Sequence, residues 1–217
     1  MNGMEKSKHI YLIRHGESRA NATGLREGGT SPLTTRGEQQ AEVVAQRFKS
    51  IPIEVVLSSP YKRAFDTGKR ISEVSGVGFE VVDMAYERKY PSTVEGLYRD
   101  NEVAKAAIAT MEREWVTSDF VSDGEHFNEV LDRVKKVSAL IEQRSENHIA
   151  VTAHDFFIKF FVAHHLLGEY LTAELLINQL VCNMRGANTG ITYFTVTENK
   201  KWHLMSWNDH AHLGEIK

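Results

Sequence analysis

The feature that most restricts the fold is the alternation of short apolar segments with longer amphipathic ones. The predicted strands cover residues 8–13, 54–59, 79–83 and 148–153, and helical patterns lie between them. Strands that alternate with helices favour a parallel sheet, because each crossover connection places a helix on one of the two faces. The sequence therefore predicts an α/β fold, a three-layer αβα sandwich with a mostly parallel sheet.

The predicted helices and a closing hairpin complete this architecture. The helices cover 34–50, a segment that begins at Pro60 with Ser59 as its cap, 101–116, 127–145 and the apolar run 156–167. Thr35 and Glu38 have the spacing of a capping box at the start of the first of these helices. Two alternating runs, 188–197 and 201–208, are separated by a short polar turn. They predict a hairpin that adds an antiparallel edge strand.

The middle of the chain has a different pattern. Residues 84–126 contain no clear strand, and only 101–116 has helical periodicity. We expect a single domain, 1–217, in which about 84–126 forms a helical insertion, or lid, over the active-site end of the sheet.

Composition excludes several classes of function. The chain has 217 residues, 41% of them hydrophobic, which is enough for a substantial core. Its net charge of −3 gives no reason to expect nucleic acid or membrane as a partner. The apolar run 156–167 is too short to span a bilayer. One cysteine, Cys182, and an N-terminus without a signal-peptide core favour a cytoplasmic protein, whose oligomeric state remains open.

Four ionisable side chains follow the predicted strands. Arg14 and His15 come directly after strand 1, and His154 comes directly after strand 4. Arg63 lies in the first turn of the helix that follows strand 2. Ligands of parallel sheets bind beyond the carboxyl ends of the strands, so we expect these four side chains to converge on one rim.

This set of side chains is suited to phosphoryl transfer. A neutral imidazole is a competent nucleophile toward phosphorus, and nearby arginines discourage its protonation. Guanidinium groups can bind two phosphoryl oxygens at once and keep their charge. A glycine such as Gly16 lets the backbone approach a ligand closely. The leaving alkoxide also needs a proton, which a carboxylic acid in a partly closed pocket can supply.

The motifs around these residues resemble the histidine phosphatase superfamily, the phosphoglycerate mutase-like group named for its RHG motif. The resembling segments run from "LIRHGES" through "SPLTTRGEQQA", "LSSPYKRAFDT", "DGEHFNEVLDRV" and "VTAHDFFIK" to "NTGITYF" and "NDHAHL". They extend over nearly the whole chain and occur in the family's order. A lone RHG would be weak evidence, but three strand-end motifs at domain-scale spacing are specific.

The resemblance implies a role for each matching position. His15 would become the phosphohistidine, while Arg14, Arg63 and His154 would hold the transferring phosphoryl group. Glu87 matches the proton donor of the family, and Asn21 matches an asparagine that contacts the phosphate or its leaving group. Weaker candidates would shape the substrate pocket; these are Arg88, Tyr90 and Glu125.

Two positions depart from the family pattern. Asp155 stands where glycine usually follows the second histidine, and we expect it to cap the next helix rather than to approach the phosphate. Pro91 stands where mutase relatives commonly have glycine, which weakens the case for mutase activity.

We therefore expect a metal-independent phosphomonoester hydrolase of the histidine acid phosphatase type, with no cofactor and a small phosphorylated metabolite as substrate. A mutase of the phosphoglycerate type and a phosphoester-binding module without activity are the alternatives. A metallohydrolase built on the ten histidines is a further rival. His210 and His212 could begin a metal site, but no matching cluster completes it convincingly.

Overall fold

The computed structural model describes residues 7–214. The strands are β1 (Lys8–Arg14), β2 (Val55–Ser58), β3 (Gly78–Val81), β4 (His148–Ala153), β5 (Ile191–Val196) and β6 (Trp202–Asp209). The helices are α1 (Arg19–Thr23), α2 (Thr35–Phe48), α3 (Lys62–Ser75), α4 (Glu102–Thr117), α5 (Phe127–Gln143), α6 (Asp155–Leu167) and α7 (Ala173–Leu175). A π-helical segment, Leu176–Val181, follows α7.

The six strands form one sheet in the order β3-β2-β4-β1-β5-β6. β1, β2, β3 and β4 are mutually parallel, which confirms the predicted α/β class. The predicted hairpin is present: β5 pairs antiparallel with β1, and β6 pairs antiparallel with β5 at the edge. β4 thus lies between β1 and β2, which are the first two strands of the chain.

Helices cover both faces of the sheet, as the three-layer prediction requires. On one face α2 and α3 pack against β1, β2 and β4 through a cluster that includes Val44, Phe48 and Ile71. On the other face α5 and α6 form a larger cluster, which contains Phe157, Phe160 and Phe161 with no exposed surface. Such burial stabilises the fold by about 2 kcal/mol for each large apolar side chain.

Two helix starts differ from the sequence prediction. The cap of α2 is Thr34, whose side chain accepts the amide of Gly37, rather than Thr35. The helix after β2 begins at Lys62 with Tyr61 as its cap, so Ser59 does not cap it. Ser59 forms a different contact, described below, because its hydroxyl faces the end of β4.

The segment between β3 and α5 consists of short helical turns, Asp83–Ala85 and Ser92–Val94, followed by α4. A buried ion pair holds it to α5: Arg133 donates to both carboxylate oxygens of Glu125 at 2.6 and 2.8 Å. The same arginine donates to the carbonyls of Met84 and Tyr86. Across residues 7–214 no helix has the length and apolar character needed to cross a membrane.

Candidate active site

The strand order brings three strand ends together. Arg14 of β1 is in register with Ala153 of β4, so His15 and His154 leave neighbouring strands side by side. Their ring centroids are 5.2 Å apart. On the other side of β4, Ser58 of β2 is in register with Thr152, which places Ser59 beside His154 as well. The sheet itself therefore assembles the predicted rim.

The ring of His15 is held by both nitrogens. Its Nδ1 lies 2.6 Å from the carbonyl oxygen of Gly16, an acceptor only, so Nδ1 carries the proton. Its Nε2 then has a free lone pair, which accepts a hydrogen bond from Nε of Arg63 at 3.0 Å. This tautomer directs a nucleophilic nitrogen toward the arginines.

The electrostatics of the site keep both histidines neutral. Burial and the charges of Arg63 and Arg14 lower the pKa of His15 well below its usual value of 6.5. Burial lowers the pKa of His154 in the same way, with Arg63 and His15 as further causes. A neutral imidazole keeps the lone pair that nucleophilic attack requires.

His154 is fully buried at the start of α6. Its Nε2 lies 2.7 Å from the hydroxyl of Ser59, and its Nδ1 has no hydrogen-bond partner among the described residues. Sequence reasoning missed this role of Ser59. The available signal was its place directly after a buried strand, the same position that singled out His15 and His154.

The two arginines are fixed by backbone carbonyls. Arg14 donates through Nη1 to the oxygen of Gly186, and Arg63 donates through Nη1 to the oxygen of Gly28 at 2.8 Å. Arg63 is only 8% exposed. Both arginines line the cavity that also contains His15, and Nη2 of each has no partner among the described residues.

Glu87 lies against the amino-terminal end of α6. Its carboxylate accepts hydrogen bonds from the amides of Phe156 and Phe157, both at 3.2 Å, and from the amide of Arg88 at 3.0 Å. It lines the same cavity as His15. The structure therefore brings Glu87 to the cavity that also contains Asn21 and His15.

Asn21 is part of a small polar network behind His15. Its Oδ1 accepts the amide of Ser18 at 3.2 Å and the side-chain amide of Asn188 at 3.3 Å. Asn188 also donates to the carbonyl oxygen of His15 at 3.0 Å. Sequence reasoning did not single out Asn188, because an asparagine after a loop carries no signal of this contact.

The three weaker candidates have different environments. Arg88 is buried, forms an ion pair with Glu112 at 2.8 Å and packs over the ring of Phe156. Tyr90 lines the cavity. Glu125 instead faces Arg133, as described above, and is absent from the cavity wall, so the expectation that it shapes the pocket directly is not met.

Gly16 has a role in helix packing. A Cβ atom at this position would lie 2.4 Å from the carbonyl oxygen of Gly37. A Cβ atom on Gly37 would in turn lie 1.9 Å from the carbonyl oxygen of Glu17. The two glycines thus allow the start of α2 to contact the backbone that carries His15.

The remaining histidine pair lies away from the cavity wall. His212 contacts Arg47 and Thr189, and His210 contacts the carbonyl oxygen of Asn208. Within residues 7–214, no group of three or more histidine, cysteine, aspartate or glutamate side chains is arranged to hold a metal ion.

The cavity has a volume of about 700 Å³ and opens between the RHG loop, the Glu87 segment and the start of α6. The sequence model of the histidine phosphatase superfamily (branch 1) matches residues 10–210. The chain belongs to this superfamily. The match includes each of the strand ends that form the rim.

Individual proteins of known name are similar over most of the chain. Phosphoglycerate mutase-like protein 4 from Arabidopsis thaliana is 26% identical over 211 residues, which cover 95% of this chain and 87% of the relative. The structure of Bacillus stearothermophilus YhfR has a TM-score of 0.80 at 21% identity and covers 96% of this chain and 99% of its own. The alpha-ribazole phosphatase from Shigella flexneri has a TM-score of 0.74 at 22% identity, with 93% and 96% covered.

The unusual Asp155 of this histidine phosphatase does not cap α6. It is the first residue of the helix, the cap is His154, and the helix amides bind Glu87 instead. The carboxylate of Asp155 pairs with Nζ of Lys159 at 2.7 Å. The pair is possible because residues four apart lie on the same side of a helix.

Proposed function

We propose that this histidine phosphatase is a metal-independent phosphomonoester hydrolase that forms a phosphohistidine on His15 and acts on small phosphorylated metabolites. One observation carries the proposal. A buried imidazole has Nδ1–H fixed on a carbonyl and presents the lone pair of Nε2 to Arg63, beside a second buried histidine and in the same cavity as Arg14.

In the first step, Nε2 of His15 attacks phosphorus and the bond between phosphorus and the ester oxygen breaks. Arg14 and Arg63 bind the charged phosphoryl oxygens, and His154 contributes through its unpartnered Nδ1. Glu87 transfers a proton to the leaving oxygen. This transfer requires a protonated Glu87, and the cavity gives the leaving group access to it.

In the second step, water attacks the phosphohistidine. The bond between phosphorus and Nε2 breaks, the histidine regains its lone pair, and inorganic phosphate is released. Glu87, now a carboxylate, accepts the proton of the attacking water. The supporting observation for both roles is that Glu87 lies in the wall of the cavity that also contains His15.

The donors that the site supplies support the proposed metal independence. The phosphoryl charge is met by two guanidiniums, which do the work of a bound cation. We also assign the chain to one domain in which about 84–126 acts as a lid. The support is that this segment supplies Glu87 and much of the outer cavity wall.

The decisive experiment replaces the nucleophile. The variant His15→Ala must lose turnover of para-nitrophenyl phosphate, and the unchanged enzyme must acquire an acid-labile, base-stable phosphate label after rapid quenching. The matched control is His210→Ala, whose side chain lies outside the cavity wall. Chelators should leave the rate unchanged, and vanadate should inhibit. Retained turnover in His15→Ala would disprove the assignment.

The mutase alternative has a specific similarity in its favour, the Arabidopsis relative that carries a mutase-like name. A mutase returns the phosphoryl group to the same substrate, so it converts 3-phosphoglycerate to its isomer when a bisphosphorylated primer is present. We expect inorganic phosphate as the product with and without primer. Isomerisation without phosphate release would favour the mutase.

A further inference from the structure

The outer end of the cavity has two arginines without a carboxylate partner. Arg26 and Arg99 both line the cavity, and neither forms an ion pair with any carboxylate of residues 7–214. The other cavity arginine of the lid, Arg88, is neutralised by Glu112. Unpaired guanidiniums in the wall of a ligand cavity are suited to binding an anion.

The backbone holds these two arginines on adjacent segments. Residues 24–26 pair with 96–99 through a short antiparallel bridge between Leu25 and Tyr98. The amide of Arg26 donates to the carbonyl of Leu97 at 3.0 Å, and the amide of Arg99 donates to the carbonyl of Gly24 at 2.9 Å. The bridge joins the loop after α1 to the lid, so a ligand bound by both arginines would contact both parts of the site.

The side chain of Arg26 is held in place by packing, but one of its hydrogen-bond donors has no acceptor. Its guanidinium packs over the ring of Tyr90, 4.2 Å from the ring centre. Its Nε is buried without a hydrogen-bond acceptor in the described structure. A buried donor without an acceptor is costly, and an anionic ligand would remove that cost.

Arg99 is exposed, and its charge contributes to the electrostatics of His15. After burial and the charges of Arg63 and Arg14, Arg99 is a further cause of the lowered pKa of His15. Its guanidinium therefore lies within electrostatic range of the reacting group. Arg26, Arg99 and His15 all line one cavity of about 700 Å³, so a small molecule bound at His15 can also contact the arginine pair.

The acidic side chains at the same end of the cavity do not cancel this charge. Glu27 is paired with Arg19 at 2.7 Å, and Asp123 accepts the amide of Ser92 at 3.0 Å. Glu95 remains without an ion pair among the described residues. Within the described residues, Glu95 and Asp123 are therefore two carboxylates without an ion pair, and the same cavity wall has three cations without one, Arg26, Arg99 and Lys89, which leaves this end of the cavity positive.

We propose that the substrate carries a second anionic group, a carboxylate or a second phosphate, which Arg26 and Arg99 bind while the phosphate ester lies at His15. The inference rests on the proposed phosphatase function and adds the substrate class. The cavity volume of about 700 Å³ limits the substrate to a small molecule.

The test compares matched esters that differ in the second group. 3-Phosphoglycerate is compared with glycerol 3-phosphate for the carboxylate, and fructose 1,6-bisphosphate with fructose 6-phosphate for the second phosphate. We expect kcat/KM to favour at least one ester with two anionic groups over its partner by about ten-fold or more, the effect of one charge-assisted hydrogen bond. The pair that shows the preference identifies the anion.

The variants Arg26→Leu, Arg99→Leu and the double variant should remove that preference. Their kcat/KM on the partner ester with a single anionic group and on para-nitrophenyl phosphate should fall far less, so that the ratio of kcat/KM between the two members of a pair falls to near one. Arg113→Leu, on an exposed part of α4 outside the cavity wall, is the control and should keep the preference. Because Arg26 packs on Tyr90, its replacement can destabilise the fold, so thermal unfolding is measured for each variant. Arg99→Glu provides a second test at an exposed position.

Binding separates failure of this proposal from failure of the proposed function. Calorimetric titration of the same ester pairs into His15→Ala reports the outer site without turnover. A preference for the ester with the second anionic group that the double variant abolishes supports the second-anion site even if no ester is hydrolysed. Equal affinity for both members of each pair, or a preference that survives in the double variant, overturns it.

Discussion

The packing of two glycines beside His15 leads to a quantitative prediction for Gly16→Ala. The new Cβ atom would lie 2.4 Å from the carbonyl oxygen of Gly37, and contacts below 3.0 Å do not occur for real Cβ atoms. The two backbones must therefore separate by at least about 0.6 Å. Since Gly16 does not have the left-handed conformation that disfavours alanine, the effect is steric alone.

This displacement acts on the nucleophile directly, because the Gly16 carbonyl holds Nδ1 of His15 and its amide donates to Thr67. Overpacking of this kind costs about 1–3 kcal/mol of stability. A misplacement approaching 1 Å costs on the order of 100-fold in rate, so we expect kcat to fall by roughly 10- to 100-fold. The melting temperature should fall on the order of 5 °C.

The assays are turnover of para-nitrophenyl phosphate and differential scanning calorimetry. The control is Gly78→Ala in β3, where the new Cβ atom would lie 3.9 Å from its nearest neighbour, Cγ2 of Val55. This variant should keep its activity and remain within about 0.5 kcal/mol in stability. A Gly16→Ala enzyme with unchanged kcat and melting temperature would refute the steric argument.

Three further predictions concern ionisable groups. Glu87→Gln should slow hydrolysis of alkyl phosphates by roughly 100-fold or more. It should slow hydrolysis of para-nitrophenyl phosphate far less, since the nitrophenolate leaving group needs little protonation. Equal losses of rate on both esters would exclude Glu87 as the acid. Asp155→Asn should destabilise the protein by about 2 kcal/mol, because it leaves the buried ammonium of Lys159 unpaired. A double-mutant cycle with Lys159→Met, measured by urea unfolding, should show a coupling energy of about 1–3 kcal/mol between the two residues. Burial, with a smaller effect of His164, lowers the pKa of His165 to about 3 from the usual 6.5. The unfolded chain therefore binds more protons between these values, and the free energy of unfolding falls as the pH decreases through that window. Between about pH 7 and about pH 5, His165→Gln should lose about 2 kcal/mol less stability than the unchanged protein; equal losses in urea titrations at both pH values would contradict the assigned shift.

The sequence by itself determined the α/β class, because the hydrophobic periods of strands and helices are local properties of the chain. It also identified the residues at the strand ends, Arg14, His15 and His154, since the carboxyl ends of parallel strands share one edge of the sheet. Helix starts were less well predicted. A serine after a strand, such as Ser59, is a typical helix cap. Nothing in the local sequence shows that its hydroxyl contacts the imidazole of His154 from another strand instead.

Only the tertiary structure decided which strand ends are neighbours. The order that places β4 between β1 and β2 brings Ser59, His154 and His15 into contact across gaps of many residues in the chain. It also decided that Glu87, rather than Asp155, receives the amides of α6, and that Gly16 packs against Gly37. These contacts depend on long-range packing and on the space left by other side chains, and a local pattern of residue types does not encode either.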